Sequence, residues 1–278
     1  MRPGRQGPSL VGICVTAAAA IEERSWLLRP DLAELGLEGR VRAPAFRAVV
    51  PMHGRLPVAD ISLSADPASE RVDQLIFGEV FEVLDRVGSR LWGRARRDGV
   101  VGWIDSAALD RDAPLATHRV ASTTAVLPLN ALIHHAWSGV AADDLMETGT
   151  FERDPVAVAE RMLGTPHELG ARTSRATDCS GLVQSCLYAC GLAGPRRTDE
   201  QAELGHAVDR AGMKRGDLVL WLKPDSGESW TGHSAFAFDA DRLIHATGHA
   251  GAVVIEDLAE AEARYAADGF AAPVFRRL

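Results

Sequence analysis

The sequence predicts an α+β chain in which a small all-β barrel precedes a domain built from a helix packed on an antiparallel sheet. Three observations carry this reading. From Val49 to Ile104, five short alternating segments are separated by turn residues. At Thr177-Asp178-Cys179 a polar turn runs into an amphipathic helix. Downstream, Gly232–Phe238 and Arg242–Ala246 read as two strands joined by the turn Asp239-Ala240-Asp241. The expected parts are a leader and lead-in segment over 1–45, the barrel over 46–112, a degenerate second module or connector over 113–152, and the helix-and-sheet domain over 153–278.

Length and composition bound the rest. At 278 residues the chain holds one large or several small domains, and 46% apolar with 24% charged residues is ordinary for a globular protein. A net charge of −8 without a basic run argues against nucleic acid as a partner. Of four cysteines, three fall between Cys179 and Cys190, which is no disulfide framework. Without a CxxC pair, no zinc site, other metal or cofactor is expected. At the N-terminus, Arg2 and Arg5 precede the weakly apolar stretch Leu10 to Ala20, too short to span a membrane. The expected compartment is the cytoplasm, the alternative being export if that stretch is a signal. The sequence leaves the oligomeric state open.

The lead-in over 25–45 reads as extended with one helical turn. The barrel segments are Val49–Met52, Ile61–Ser64, Glu79–Leu84, Leu91–Ala95 and Val100–Ile104, broken at Asp66-Pro67, Gly88-Ser89 and Asp98-Gly99. From Val120 to Leu132 two strands fit. Asp154-Pro155 opens a helix to Leu163, with an N-cap followed by proline at the first position, and with Val156, Ala159, Met162 and Leu163 on its buried face. In the second helix, Leu182, Val183, Cys186, Leu187 and Cys190 recur at helical spacing and Gly191 supplies a stop. A short helix over Asp199–Ala207, the strand Leu218–Leu222, a strand Ala252–Glu256 and a helix Leu258–Ala267 complete the domain.

The chemistry gathers at the start of the second helix. Asp178 or Thr177 can accept from its free first-turn amides, and Cys179 sits where the helix dipole favours an anion, a placement that lowers a thiol pKa. The two downstream strands bring His233 and His245 toward neighbouring positions. A cysteine, a histidine to take its proton and a third polar group to orient that histidine are the parts of a thiol acyl-transfer site.

In Asp178-Cys179-Ser180-Gly181-Leu182-Val183-Gln184, Arg215-Gly216-Asp217-Leu218-Val219, Gly232-His233 and Leu243-Ile244-His245-Ala246, order and spacing resemble the NlpC/P60 cysteine peptidases of bacterial cell-wall peptide metabolism, over roughly residues 155 to 260. The run Phe77-Gly78-Glu79, Leu91-Trp92-Gly93 and Gly102-Trp103-Ile104 is similar to a bacterial SH3-like domain. The resemblance implies a papain-like catalytic domain with Cys179 as nucleophile, His233 as proton carrier and His245 as orienting group. It also implies the substrate, the γ-D-glutamyl bond to a diamino acid in peptidoglycan stem peptides. Asp178, Ser180, His167, Glu79 and Arg197 are the residues expected to contact it.

Relatives with the SH3-like module prefer a stem peptide with a free L-alanine amine, read by an acid in that module, a nearby tyrosine and an acid after the catalytic helix. Glu79 matches the first, Val100 replaces the tyrosine, and Arg197 replaces the second acid. Before the nucleophile, Pro166-His167-Glu168-Leu169-Gly170-Ala171 stands where relatives read Pro-Tyr-x-Trp-Gly-Gly. Altered specificity or lowered activity is therefore expected beside an intact triad. An amidase or acyltransferase, or a non-catalytic wall-peptide binder, are the alternatives.

Overall fold

The computed structural model describes residues 22–134, 139–223 and 232–278. The lead-in is extended with one helical turn, and its strands are paired. Leu28–Arg29, Leu32–Glu34 and Phe46–Arg47 pair into a three-stranded sheet with a single 3-10 turn at Leu35–Leu37. Leu27 and Leu32 pack on Leu84 and Trp92 of the barrel, and Glu34 meets Arg94 at 2.9 Å, so this segment is folded onto the barrel's outer face. The stretch Leu10–Ala20, on which the choice of compartment turned, lies outside the described residues.

Seven strands form the barrel sheet, in the order Leu109–Asp110, Val50–Gly54, Val80–Val87, Arg90–Ala95, Val101–Asp105, Val58–Ser62 and Arg71–Ile76. Every pairing is antiparallel, and Ile61, Leu75, Phe81, Leu91 and Ile104 fill the interior. The strand Arg71–Ile76 escapes a reading based on apolar alternation. Its polar residues Asp73 and Gln74 are themselves buried, covered by the next domain rather than by solvent. Residues 118–147 contribute a sheet of three short strands, His118–Val120 lying between Leu132–Ile133 and Leu145–Glu147.

In the C-terminal domain a six-stranded antiparallel sheet runs in the order His206–Val208, Val274–Arg277, Leu218–Leu222, Gly232–Ala237, Arg242–Thr247 and Ala252–Asp257. Strand alternation sends Leu218, Leu220, Phe236 and Ile244 to one face, against the helix Cys179–Ala189, and Val219, Trp221, Ala235 and Leu243 to the other, against the helix Leu258–Ala267. All eleven residues of the Cys179–Ala189 helix are buried. Such a helix has no solvent side on which to drift, and its first residue is held to one place. The preceding helix is shorter than expected, Pro155–Glu160, and Leu163 is exposed beyond its end. In place of a helix over 199–207 there is a single turn, Thr198–Gln201, followed by the strand His206–Val208.

Barrel and C-terminal domain meet across buried charges. Arg172, fully buried, donates from Nε to the Gln74 carbonyl at 2.7 Å, lies 3.1 Å from Asp73 and pairs with Glu79. Arg196 binds Asp73 at 2.8 Å and Asp178 at 2.6 Å, so a barrel carboxylate is two ion pairs away from the cap of the nucleophile helix. Gly170 fits the same seam: at φ +75° its missing side chain leaves room for the Arg71 carbonyl, which would lie 2.4 Å from a Cβ. Breaking one partner of a buried pair strands the others, so Arg172→Met is expected to cost about 3–5 kcal/mol. Chemical denaturation of the two proteins, with the midpoint moved and the slope kept, checks this.

Candidate active site

Cys179 opens its helix directly after Asp178, whose backbone is extended and whose side chain caps the turn. Asp178 Oδ1 accepts from the Gly181 amide at 2.7 Å, Oδ2 accepts from the Gly170 amide at 2.8 Å, and the Arg196 guanidinium donates to both oxygens. Ser180 Oγ is engaged in the same knot, accepting from Arg196 at 2.9 Å. Asp178 and Ser180 both line the central cavity, but their polar atoms serve the helix start. Their geometry supports positioning over the substrate contact expected from the sequence.

The thiol is 5% exposed, and Sγ lies 4.0 Å from the Gly232 carbonyl. Burial pushes its pKa up to about 12, the Asp178 carboxylate adds to this, and the amides of Ser234 and Ser180 oppose it only in part. This corrects the expectation of a thiolate made available by the helix dipole. Desolvation by an all-buried helix outweighs the partial charge at its end. The resting nucleophile is a thiol that must hand over its proton.

His233, on the strand Gly232–Ala237, lines the same cavity as the thiol and is the base available to it. Its Nε2 stands 2.8 Å from His245 Nδ1 on the adjacent strand. His245 Nε2 in turn stands 2.8 Å from Glu256 Oε2. Glu256 is held from its far side by the Arg264 guanidinium, at 2.7 Å to the same oxygen and through a second contact to Oε1. Burial alone would raise the Glu256 pKa, but Arg264 and His245 bring it down to about 2, so it is a carboxylate. A carboxylate only accepts, which puts the His245 proton on Nε2 and leaves Nδ1 as an acceptor. His233 must then donate from Nε2, and its Nδ1 is free to take a proton from the thiol. Burial, and after it the neighbouring His245, hold the His233 pKa well below the usual histidine value, so the ring is a neutral base.

Tyr265, on the helix Leu258–Ala267, closes the arrangement. Its ring stacks on the His233 imidazole, with centroids 4.4 Å apart and planes 28° apart, while His245 meets His233 edge-on. A ring clamped by a stack on its face and a hydrogen bond at Nε2 keeps one orientation.

A cavity of about 780 Å³ opens over the thiol, lined among others by Cys179, His233, His167, Arg197, Thr247 and Tyr265. His167 therefore does reach the site, half-buried, with its pKa pushed down by burial. His249 is exposed and lies on the cavity wall. Arg197 faces the cavity as well. Glu79 does not. It is 2% exposed, with its carboxylate taken by Arg172, by Arg97 at 2.9 Å and by the Ile76 amide at 3.0 Å. Those partners hold its pKa down despite the burial. Its expected role as a reader of a substrate amine is corrected: Glu79 is an interface carboxylate.

Glu256, Arg264 and Tyr265 escaped the sequence reading. Glu256 was legible in principle, because it shares a strand face with Val254, the residue directly opposite His245. Tyr265 follows Leu258 and Ala261 at helical spacing and reads only as core. Among the described residues no group of three or more His, Cys, Asp or Glu side chains is placed to hold a metal ion.

Residues 164–270 match the model of the NlpC/P60 family, and residues 63–109 match the bacterial dipeptidyl-peptidase SH3 domain. The chain is 34% identical over 92 residues to the murein DD-endopeptidase MepS/murein LD-carboxypeptidase of Escherichia coli, covering 33% of this chain and 47% of that one. It is 30% identical over 105 residues to the gamma-D-glutamyl-L-lysine dipeptidyl-peptidase of Bacillus cereus, covering 38% and 28% of the two chains. This chain thus spans about half the length, or less, of these curated relatives. A solved NlpC/P60 family protein from Bacillus cereus superposes with a TM-score of 0.69 over 82% of this chain and 99% of that one, at 16% identity, which speaks for the fold. Taken with the Cys179, His233 and His245 placement, these matches identify residues 164–270 as a domain similar to the NlpC/P60 family, preceded over residues 63–109 by a stretch similar to a bacterial SH3 domain.

Proposed function

We propose that this protein is a cysteine peptidase that cleaves peptidoglycan stem peptides at the γ-D-glutamyl–diamino acid bond of soluble muropeptides. The observation that carries this is the chain of contacts from His233 through His245 to Glu256, with Cys179 and His233 on the wall of one open cavity. Cys179 Sγ attacks the γ-carbonyl carbon while its proton passes to His233 Nδ1. Amides at the start of the Cys179–Ala189 helix face the developing oxyanion. On collapse the C–N bond breaks, and the amine leaves with the proton from His233. Water then attacks the thioester, giving one proton to His233 and regenerating the thiol as the γ-carboxylate departs. The absence of the tyrosine and tryptophan found in relatives changes the wall around this chemistry and leaves the relay untouched. The cytoplasm, where soluble muropeptides would be met, is the compartment we propose.

Incubation with Ala–γ-D-Glu–Lys and product analysis by mass spectrometry tests the reading, and release of free lysine is the expected result. An amide product formed with an added amine, without hydrolysis, would favour the acyltransferase alternative. The pH profile is a second check. Protonated His233 cannot accept the thiol proton, so activity falls as pH drops through its pKa. Because that pKa is depressed below 6.5, kcat/KM should keep its plateau at pH 6.5 and decline only below it. A plateau that begins only well above pH 7 would count against a neutral His233 base.

A further inference from the structure

Resting on that reading, we infer that Arg196 is a positioning residue for the reaction: it ties the Asp178 cap of the nucleophile helix to the barrel and shields the cap's carboxylate from Cys179 as the sulfur turns anionic. Arg196 lies in the loop between the nucleophile helix and the turn Thr198–Gln201, and it is buried. Every guanidinium nitrogen is used. Nε donates to Oδ1 of Asp73, on the barrel strand Arg71–Ile76, at 2.8 Å. Nη1 donates to Asp178 Oδ1 and to Ser180 Oγ, each at 2.9 Å, and Nη2 donates to Asp178 Oδ2 at 2.6 Å. A bidentate pair of this kind fixes the plane of the carboxylate as well as its position. The same two oxygens take the Gly181 and Gly170 amides. The first turn of the helix, the loop before it and the barrel therefore converge on one charged group.

Cys179 is the next residue along. Attack on a carbonyl puts negative charge on its sulfur, and a bare carboxylate close by opposes that charge. After burial, Asp178 is the group that pushes the thiol pKa up to about 12, and Arg196 is the cation that pulls against it. The other groups around the sulfur and the cap do not supply that balance. Burial, and after it His245, keep His233 neutral at rest, and burial also pushes the His167 pKa down. The Ser234 and Ser180 amides carry only partial charge. Around Arg196 the remaining charges are Asp73 and, 3.1 Å from Asp73, Arg172. Burial, and after it Asp98, push the Asp73 pKa up, which leaves Asp178 as the firmer counter-charge of Arg196. Without Arg196 the cap keeps its two amides, loses both guanidinium donors and turns an unbalanced charge toward the thiol.

The test compares the full chain with its Arg196→Met, Asp178→Asn and Asp178→Asn/Arg196→Met variants. It reads alkylation of Cys179 by iodoacetamide and by iodoacetate at pH 7, and kcat on Ala–γ-D-Glu–Lys. Methionine keeps much of the arginine's length and removes its charge. Arg196→Met should lower the alkylation rate and kcat by about tenfold or more, as a thiol pKa higher by about one would do. The anionic iodoacetate should be slowed more than the neutral iodoacetamide. Asparagine still caps a helix and carries no opposing charge, so Asp178→Asn should be alkylated faster than the unaltered protein. The double variant should recover most of the rate lost in Arg196→Met. A purely structural role requires the reverse, because each further substitution loosens the same knot. An Arg196→Met protein labelled at the unaltered rate, or a double variant as slow as Arg196→Met, overturns the inference. If Arg196→Met does not fold, Asp178→Asn decides alone, and a rate at or below that of the unaltered protein overturns it. Alkylation needs no substrate, so the expected labelling order without any cleavage of the peptide would overturn the peptidase reading and leave the role of Arg196 standing.

Discussion

Cys179→Ala is expected to remove turnover by roughly four orders of magnitude or more, since loss of the nucleophile leaves only binding and the oxyanion amides. The fold should survive. The change removes one sulfur atom from a helix whose other ten residues remain buried among the same neighbours, so the denaturation midpoint should move little. Labelling adds a sharper readout. Cys186 is fully buried and Cys190 half-buried, each with its pKa raised by burial, so neither competes well for an electrophile. Cys179 also has a raised pKa, yet it alone of the three lines the cavity beside His233. Its alkylation should therefore depend on His233: fast in the unaltered protein and slow in His233→Ala, although the thiol is present in both. Turnover by Cys179→Ala near the unaltered rate would end the assignment.

The parts of the site that were legible in the sequence are those whose chemistry and local structure coincide. Cys179 follows a capping aspartate at a helix start, and the two histidines lie on strands joined by a short polar turn, so motif and geometry say the same thing. Legibility ended where a residue's environment comes from elsewhere in the chain. Asp73 and Gln74 look like surface positions until the C-terminal domain covers them. Glu79 looks like a turn carboxylate open to a ligand until Arg172, 93 residues away, closes on it. The thiol pKa went astray for the same reason. A helix-start argument counts the local dipole and cannot count the desolvation that tertiary packing imposes. The C-terminal strand Val274–Arg277 was invisible because its segment carries no alternation, and it is held in the sheet by pairing with Leu218–Leu220 and by the Arg277–Asp217 ion pair at 2.6 Å.

Glu256 sets the second large effect. Removing the base itself, in His233→Ala, should cost more than removing the orienting ring in His245→Ala, because His245 acts only through the position and tautomer of His233. Glu256→Gln should nevertheless rival the loss of the base. Arg264 contacts both carboxylate oxygens, Oε2 beside His245 included, so either placement of the new amide sets its NH2 against a guanidinium N–H. Where the NH2 takes the Oε2 place, it faces His245 Nε2, which must become an acceptor. His245 Nδ1 takes the proton in turn, His233 Nε2 becomes the acceptor, and His233 Nδ1 carries a proton where it should receive one. A base in the wrong tautomer is worth roughly a 10⁴-fold loss in kcat in a serine-protease triad, and a similar order is expected here. Glu256→Ala provides the contrast. Its side chain is 14% exposed, so water can enter the vacated space and either accept or donate. The proper tautomer stays accessible, and the alanine variant should be about ten- to a hundredfold more active than the glutamine variant. Measured kcat values for Glu256→Ala, Glu256→Gln and His233→Ala decide this. A glutamine variant as active as the alanine variant would show that the proton order along the relay is not fixed by Glu256.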